Sequence, residues 1–190
     1  MAVANEKWQF VFLAEPHTAS RAVRDALLKL PMSYKAGSHH ISMEAMLNYR
    51  SLRHKRGYYT TFCVVRNPAD IMITIWLQSW EYKQGQELTE FLHQFGHDSP
   101  THFFFKHAAW ADEVLRYEDL EEGLNCFLRS IHAPSVQLKT VGPTEGKAPW
   151  FRYYTTTDLE YMLSNFPEVT QWGYADVIKR QISAKLGNRT

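Results

Sequence analysis

Gln9-Phe10-Val11-Phe12-Leu13-Ala14-Glu15-Pro16-His17-Thr18-Ala19-Ser20-Arg21 is the stretch whose reading decides the fold. Residues 9–14 (QFVFLA) form a near-continuous apolar run. A strand covered on both faces in a parallel sheet reads this way, whereas a strand with one solvated face alternates. A polar loop, 15–21, follows, and then Ala22, Val23, Ala26, Leu27 and Leu30 recur at helical spacing until Pro31 stops the pattern. In a strand, tight loop and helix of this kind, the N–H groups of the helix start and the helix dipole favour a phosphate or sulfate. Thr18, Ala19 and Ser20 are small enough to let an anion approach the backbone. The loop lacks the GKS or GKT ending that supplies the phosphate lysine and magnesium hydroxyl of a Walker A motif, which disfavours ordinary ATP or GTP hydrolysis. On its own the loop also reads as a capped turn with no ligand, because capping loops are common.

Working outward, the same alternation recurs. Met43, Met46, Leu47 and Leu52 give residues 41–55 the spacing of an amphipathic crossover helix. The β-rich run 59–65 (YTTFCVV) meets Arg66-Asn67-Pro68, where proline suits the first turn of a helix reaching to about residue 80. Residues 88–95 read as a short helix, 114–117 as a strand, and 120–131 as a helix with Asp119 available as its N-cap. The Gly-, Pro- and Lys-containing stretch 136–151 reads as a long loop, and 158–165 and 174–186 as helices. Strands alternating with helices predict an α/β sandwich with a mostly parallel sheet whose ligands sit at the carboxyl ends of strands. With 190 residues, 45% of them apolar, and no repeat or linker, the expectation is one domain spanning 1–190.

Lys and Arg number 21 against 20 Asp and Glu, a net charge of +1, so no global field draws nucleic acid or an anionic membrane and any anion must be held locally. No run approaches the roughly 18 apolar residues of a membrane span. The apolar run 10–14 is shorter than a secretory core of about 7–15 residues and is closed by Glu15. Cys63 and Cys126 lie too far apart in sequence to suggest a metal-ligand pair, and both are expected to be buried thiols. These readings predict a soluble, cytoplasmic protein without nucleic-acid or membrane partners. His93 and His97 have the spacing of two ligands on one helix face, but Gly96 and Pro100 interrupt that helix and no third ligand pattern is present. A solvated face is the better reading, so no metal is expected.

A second candidate anion site pairs Arg66, at a strand end, with Thr74, eight positions on in the following helix. A fork-like cation and a hydroxyl so placed suit one terminal phosphate. The alternative pairs Arg66 with Asp70 and turns the Thr74 hydroxyl back to the carbonyl four residues earlier.

Taken together, these segments resemble the sulfotransferases that use 3′-phosphoadenosine 5′-phosphosulfate (PAPS), most closely the carbohydrate-type branch. The family's first loop, roughly P-K-T-x-S/T-T-S, is matched by Pro16, His17, Thr18, Ala19, Ser20, Arg21 and Ala22. Its second motif, R-D/N-P-x-D/E-x-x-x-S-x-Y/W, is matched by residues 66–76 with Thr74 in place of serine. His40-Ile41-Ser42, Leu115-Arg116-Tyr117-Glu118-Asp119-Leu120 and Trp172-Gly173-Tyr174 extend the likeness, in the same order, over most of the chain. The resemblance implies a P-loop-like three-layer α/β sandwich. It also implies that the first loop cradles the phosphosulfate, that Arg66 and Thr74 hold the 3′-phosphate, and that Lys147 is a further cofactor contact unless it is merely a solvated loop lysine.

The activity so implied is metal-independent transfer of a sulfuryl group by in-line displacement to an acceptor hydroxyl on a small molecule or carbohydrate. A histidine base takes the acceptor proton, and His40, directly before Ile41-Ser42, fits the family position better than His39. His17 stands where the family has lysine, and the two differ, because histidine titrates near ~6.5 and lysine near ~10.4. A phosphosulfate beside His17 favours the imidazolium, which stabilises the leaving phosphate, and Arg21 is a second source of charge. The aromatic segments 76–82, 103–110 and 150–154 suit a sugar or apolar acceptor, but such clusters are more often core or homodimer contact. Two other functions compete: a nucleotide-binding or structural module that has lost catalysis with the loop lysine, and a P-loop small-molecule kinase, which the absent Walker lysine disfavours.

Overall fold

The computed structural model describes residues 2–36, 59–98, 107–139 and 147–187. The chain divides into two compact units, one comprising Met1–Arg66 with Phe105–Val141 and the other Asn67–Phe104 with Gly142–Thr190.

The first unit holds the sheet. Among the described residues it has five strands, β1 (Ala2–Asn5), β2 (Phe10–Leu13), β3 (Ser33–Ala36), β4 (Thr60–Val65) and β5 (Glu113–Arg116), in the order β3-β1-β2-β4-β5. The apolar runs that predicted β2 and β4 are buried along their length, apart from partly exposed Thr60 at the start of β4. These strands pair in parallel, with Phe12 opposite Phe62 and Leu13 opposite Cys63, and β5 adds in parallel with Val64 opposite Leu115.

The sheet is nevertheless mixed and open rather than mostly parallel. β1 pairs antiparallel with β2, and β3 antiparallel with β1. The four residues between β1 and β2 leave no room for a crossover, so the chain can only return as a hairpin. Buried Asn5 secures this corner: its amide donates to the Pro31 carbonyl at 2.9 Å and to Ser33 Oγ at 2.7 Å, and its carbonyl accepts from Trp8 N at 2.9 Å. Thr61 performs the same service between β4 and the entry to β5, giving its backbone N–H and hydroxyl to Asp112 Oδ2 at 2.7 and 2.8 Å.

Helices α1 (Ser20–Leu27) and α2 (Pro68–Gln78) fall where periodicity and the prolines place them, the latter opening the second unit. On one face of the sheet Val3, Phe10, Phe12, Phe62 and Val64 form a single apolar cluster with Val23 and Leu27 of α1 and with Leu124, Phe127 and Leu128 of a later helix, Leu120–Ser130. Phe62 lies at its centre, with ring centroids 5.2 Å from Phe12 and 4.4 Å from Phe127. Asp119 precedes the Leu120–Ser130 helix without a side-chain capping bond, the preceding 3-10 turn Tyr117–Asp119 leading the chain in. Cys63 is buried, as expected, but Cys126 is exposed. The buried stripe Leu120, Leu124, Phe127, Leu128 leaves position 126 about 140° away round the helix, facing water.

The second unit is helical. After α2 come the short α3 (Trp80–Lys83) and α4 (Leu88–Asp98); numbering Leu120–Ser130 of the first unit as α5, the unit resumes with α6 (Thr156–Asn165), α7 (Pro167–Gln171) and α8 (Ala175–Gly187). α2 packs on α4 and on a 3-10 turn at Trp150–Arg152, and α6 packs on α8. Thr155 and Asp158 close α6 with a reciprocal capping box. His93 stacks on Tyr161 with centroids 3.9 Å apart, which gives this histidine a packing role. The side chain of His97 and the helix expected over 41–55 lie outside what is described. Among the described residues no helix is long and apolar enough to cross a membrane.

Candidate functional site

In the first unit, three parallel strands deliver their carboxyl ends to one edge of the sheet. β2 runs into the loop 14–19, β4 into Arg66, and β5 into Tyr117. Ligands in α/β sheets bind at this edge. The loop has a distinctive backbone: His17 and Ala19 are left-handed, with φ of 58° and 56°, on either side of Thr18. Such residues cost about 1–3 kcal/mol each outside glycine.

Ala19 is also the N-cap of α1 and brings no capping side chain, and the first turn of α1 contains no acidic residue. The N-cap position therefore gives no side-chain bond to the first-turn N–H groups of α1. Thr18 is fully buried, and its hydroxyl donates to the Glu15 carbonyl at 3.0 Å, so its side chain shapes the loop. Pro16, His17 and Ser20 are half-buried, Arg21 is exposed, and Ala22 faces the core.

Arg66 fastens β4 to this loop. Its Nη1 donates to the His17 carbonyl at 2.9 Å, and its guanidinium lies 4.3 Å from the centre of the Tyr117 ring. Two residues nominated separately, 49 positions apart, are thus brought into contact. Tyr117 was legible only as part of a strand-end segment; an aromatic immediately after a parallel strand was the available signal. Glu15 was a second omission. It is a buried carboxylate at the loop entrance and accepts from the His107 backbone N–H. Burial first, and the Glu15 charge second, push the Cys63 thiol far above its usual range, so it remains protonated and inert.

In the second unit, Thr74 and Lys147, 73 positions apart, meet directly. Lys147 Nζ donates to Thr74 Oγ1 at 2.8 Å and to the Asp70 carbonyl at 2.9 Å, and pairs with Asp70 Oδ1 at 2.6 Å. The Thr74 hydroxyl itself turns back to the Asp70 carbonyl at 3.0 Å, as the alternative sequence reading allowed. Asn67 caps α2 through Ala69 N, with Pro68 in the first turn. Buried Tyr154 donates to the Ala69 carbonyl at 2.9 Å; burial and then the charges of Asp70 and Asp158 push its phenol well up, keeping it a neutral donor.

Beside this cluster, Trp76 contacts Tyr82 at 4.7 Å and Tyr153 at 6.2 Å between ring centroids. His39 and His40 lie outside the described residues, as do 103–106 of the aromatic segments. No protein-family model matches the chain, and no curated protein matches it.

Proposed function

We propose that the chain is a PAPS-dependent sulfotransferase built as one P-loop-like domain, a three-layer α/β sandwich in which β2, β4 and β5 form the parallel part. The observation that supports this most is the bond from Arg66 to the His17 carbonyl, which joins the first residue of one motif to the loop of the other. On this reading the backbone of Pro16 to Ala22 holds the 5′-phosphosulfate, with His17 and Arg21 supplying positive charge. Arg66, Thr74 and Lys147 serve the 3′-phosphate. The acceptor is a hydroxyl of a small molecule or carbohydrate. Its oxygen attacks sulfur in line, its proton passes to His40, and the sulfur–oxygen bond to the leaving phosphate breaks, releasing adenosine 3′,5′-bisphosphate. On this reading no metal is needed, since His17 and Arg21 supply positive charge to the leaving phosphate.

Calorimetric titration with adenosine 3′,5′-bisphosphate, with and without magnesium, tests the reading. Binding of equal strength in both is expected; a preference for ATP with magnesium would replace it with the kinase reading.

His17 favours a second reading, a nucleotide-binding module without turnover. The two part on His17→Lys. For an enzyme, the wild-type rate should fall on the alkaline side as His17 loses its proton and the leaving phosphate loses a cation. The lysine variant should extend that alkaline limb by more than one pH unit and turn over faster. An unchanged rate and pH profile would remove His17 from the chemistry. Sulfuryl transfer detected in neither protein, with nucleotide binding intact, would favour the module.

A further inference from the structure

A phosphate subsite made from Thr74 and Lys147 is already filled by the protein. Lys147 has three N–H donors and Thr74 one O–H. The lysine directs its donors to Asp70 Oδ1, the Asp70 carbonyl and Thr74 Oγ1, and the threonine directs its own to the Asp70 carbonyl. Three of these four bonds end on Asp70, one on its carboxylate and two on its main-chain carbonyl. The Lys147 side chain is 7% exposed and that of Asp70 18%, so water has little share in the cluster. Thr74 and Lys147 therefore cannot both donate to a ligand until the Asp70 contacts are exchanged.

We propose that Asp70 is an internal occupant of the phosphate subsite, holding Lys147 and Thr74 in a closed arrangement that a phosphomonoester must displace in order to bind. The inference rests on the sulfotransferase reading above and adds a regulatory element to that site. A phosphomonoester carries about −1.5 to −2 charge at neutral pH and offers three acceptor oxygens, against one charge on the carboxylate. It can take a donor from Lys147 and the hydroxyl of Thr74 together, and the hydroxyl needs only to rotate. Asp70 is not stranded by the exchange, because it lies in the first turn of α2, where the helix dipole favours a negative charge. The closed arrangement lowers affinity by the fraction of molecules in which the subsite is open. It also keeps a buried ammonium paired while no ligand is present, where an unpaired one would be costly.

The test is calorimetric titration of the full chain and its Asp70→Asn, Lys147→Met and double variants with adenosine 3′,5′-bisphosphate and, separately, adenosine 5′-phosphate. Circular dichroism checks that each is folded, and Asp70→Ser serves if the asparagine variant is not. Asp70→Asn is expected to bind the bisphosphate about tenfold more tightly, as for a subsite open in roughly a tenth of molecules. Its affinity for the 5′-phosphate should be unchanged. Lys147→Met should weaken the bisphosphate, and the double variant should show no gain from losing Asp70. If the wild type binds the bisphosphate but Asp70→Asn binds it equally or less tightly, the internal-occupant proposal is overturned and the sulfotransferase reading stands. If the folded wild type binds neither nucleotide, that reading fails and the proposal falls with it.

Discussion

Arg66→Ala is expected to weaken binding of adenosine 3′,5′-bisphosphate by about 10²–10³-fold, or ~3–4 kcal/mol. Two losses combine in that figure. The first is the proposed charge-assisted, fork-shaped contact to phosphate, the stronger kind of hydrogen bond at about 1.5–3 kcal/mol. The second is the bond to the His17 carbonyl at 2.9 Å, which ties Arg66 to a loop whose His17 and Ala19 are left-handed. Arg66→Lys separates them. It keeps the charge but not the planar fork or the stacking on Tyr117, so it should recover only part of the affinity. The thermal midpoint should move little in either variant, because a half-buried side chain over one ring contributes on the order of 1 kcal/mol. Binding within threefold of wild type in Arg66→Ala would remove Arg66 from the nucleotide site.

The two strands that carry this loop and Arg66 were readable because they are buried on both faces, which writes an uninterrupted apolar run into the sequence. α1, α2, α4 and α5 were readable from period and punctuation, with Pro68 opening α2 and Pro31 closing the pattern of α1. β1 and β3 were not. Ala2–Asn5 and Ser33–Ala36 are four residues each, and only Val3 and Tyr34 among them carry a clear strand preference. Their conformation comes from pairing with the strand beside them, a tertiary effect that no local window holds, and this is why a mostly parallel sheet was expected where a mixed one occurs. Cys126 is a different failure, since the helical stripe of its own neighbours already points it outward.

The site divides in the same way. Glycine-free loops seldom advertise left-handed residues, so the loop at His17 and Ala19 was legible as a position and not as a shape. Contact between Lys147 and Thr74 depends on a loop returning to α2, and sequence spacing is silent about such returns. The pairing of the Asp70 carboxylate with Lys147, at 2.6 Å, is likewise beyond the reach of local spacing.

His40→Ala is expected to lower the rate of sulfuryl transfer by about 10²–10⁴-fold, the usual contribution of a positioned general base. The loss should fall on kcat, with the affinity for adenosine 3′,5′-bisphosphate unchanged, because the role proposed for His40 is toward the acceptor proton and not the nucleotide. His39→Ala provides the comparison: adjacent in sequence and identical in chemistry, it should stay within about threefold of wild type. The pH profiles carry independent information. A base must be unprotonated to act, so the wild-type rate should fall on the acid side through the histidine range, whereas the leaving-group cation at His17 governs the alkaline side. His40→Ala should flatten the acid limb and leave the alkaline one in place, and added imidazole should restore part of the rate. Equal activity in both single variants and in the double variant would place the base outside this pair. A large loss in His39→Ala with none in His40→Ala would exchange their roles while leaving the rest of the mechanism intact.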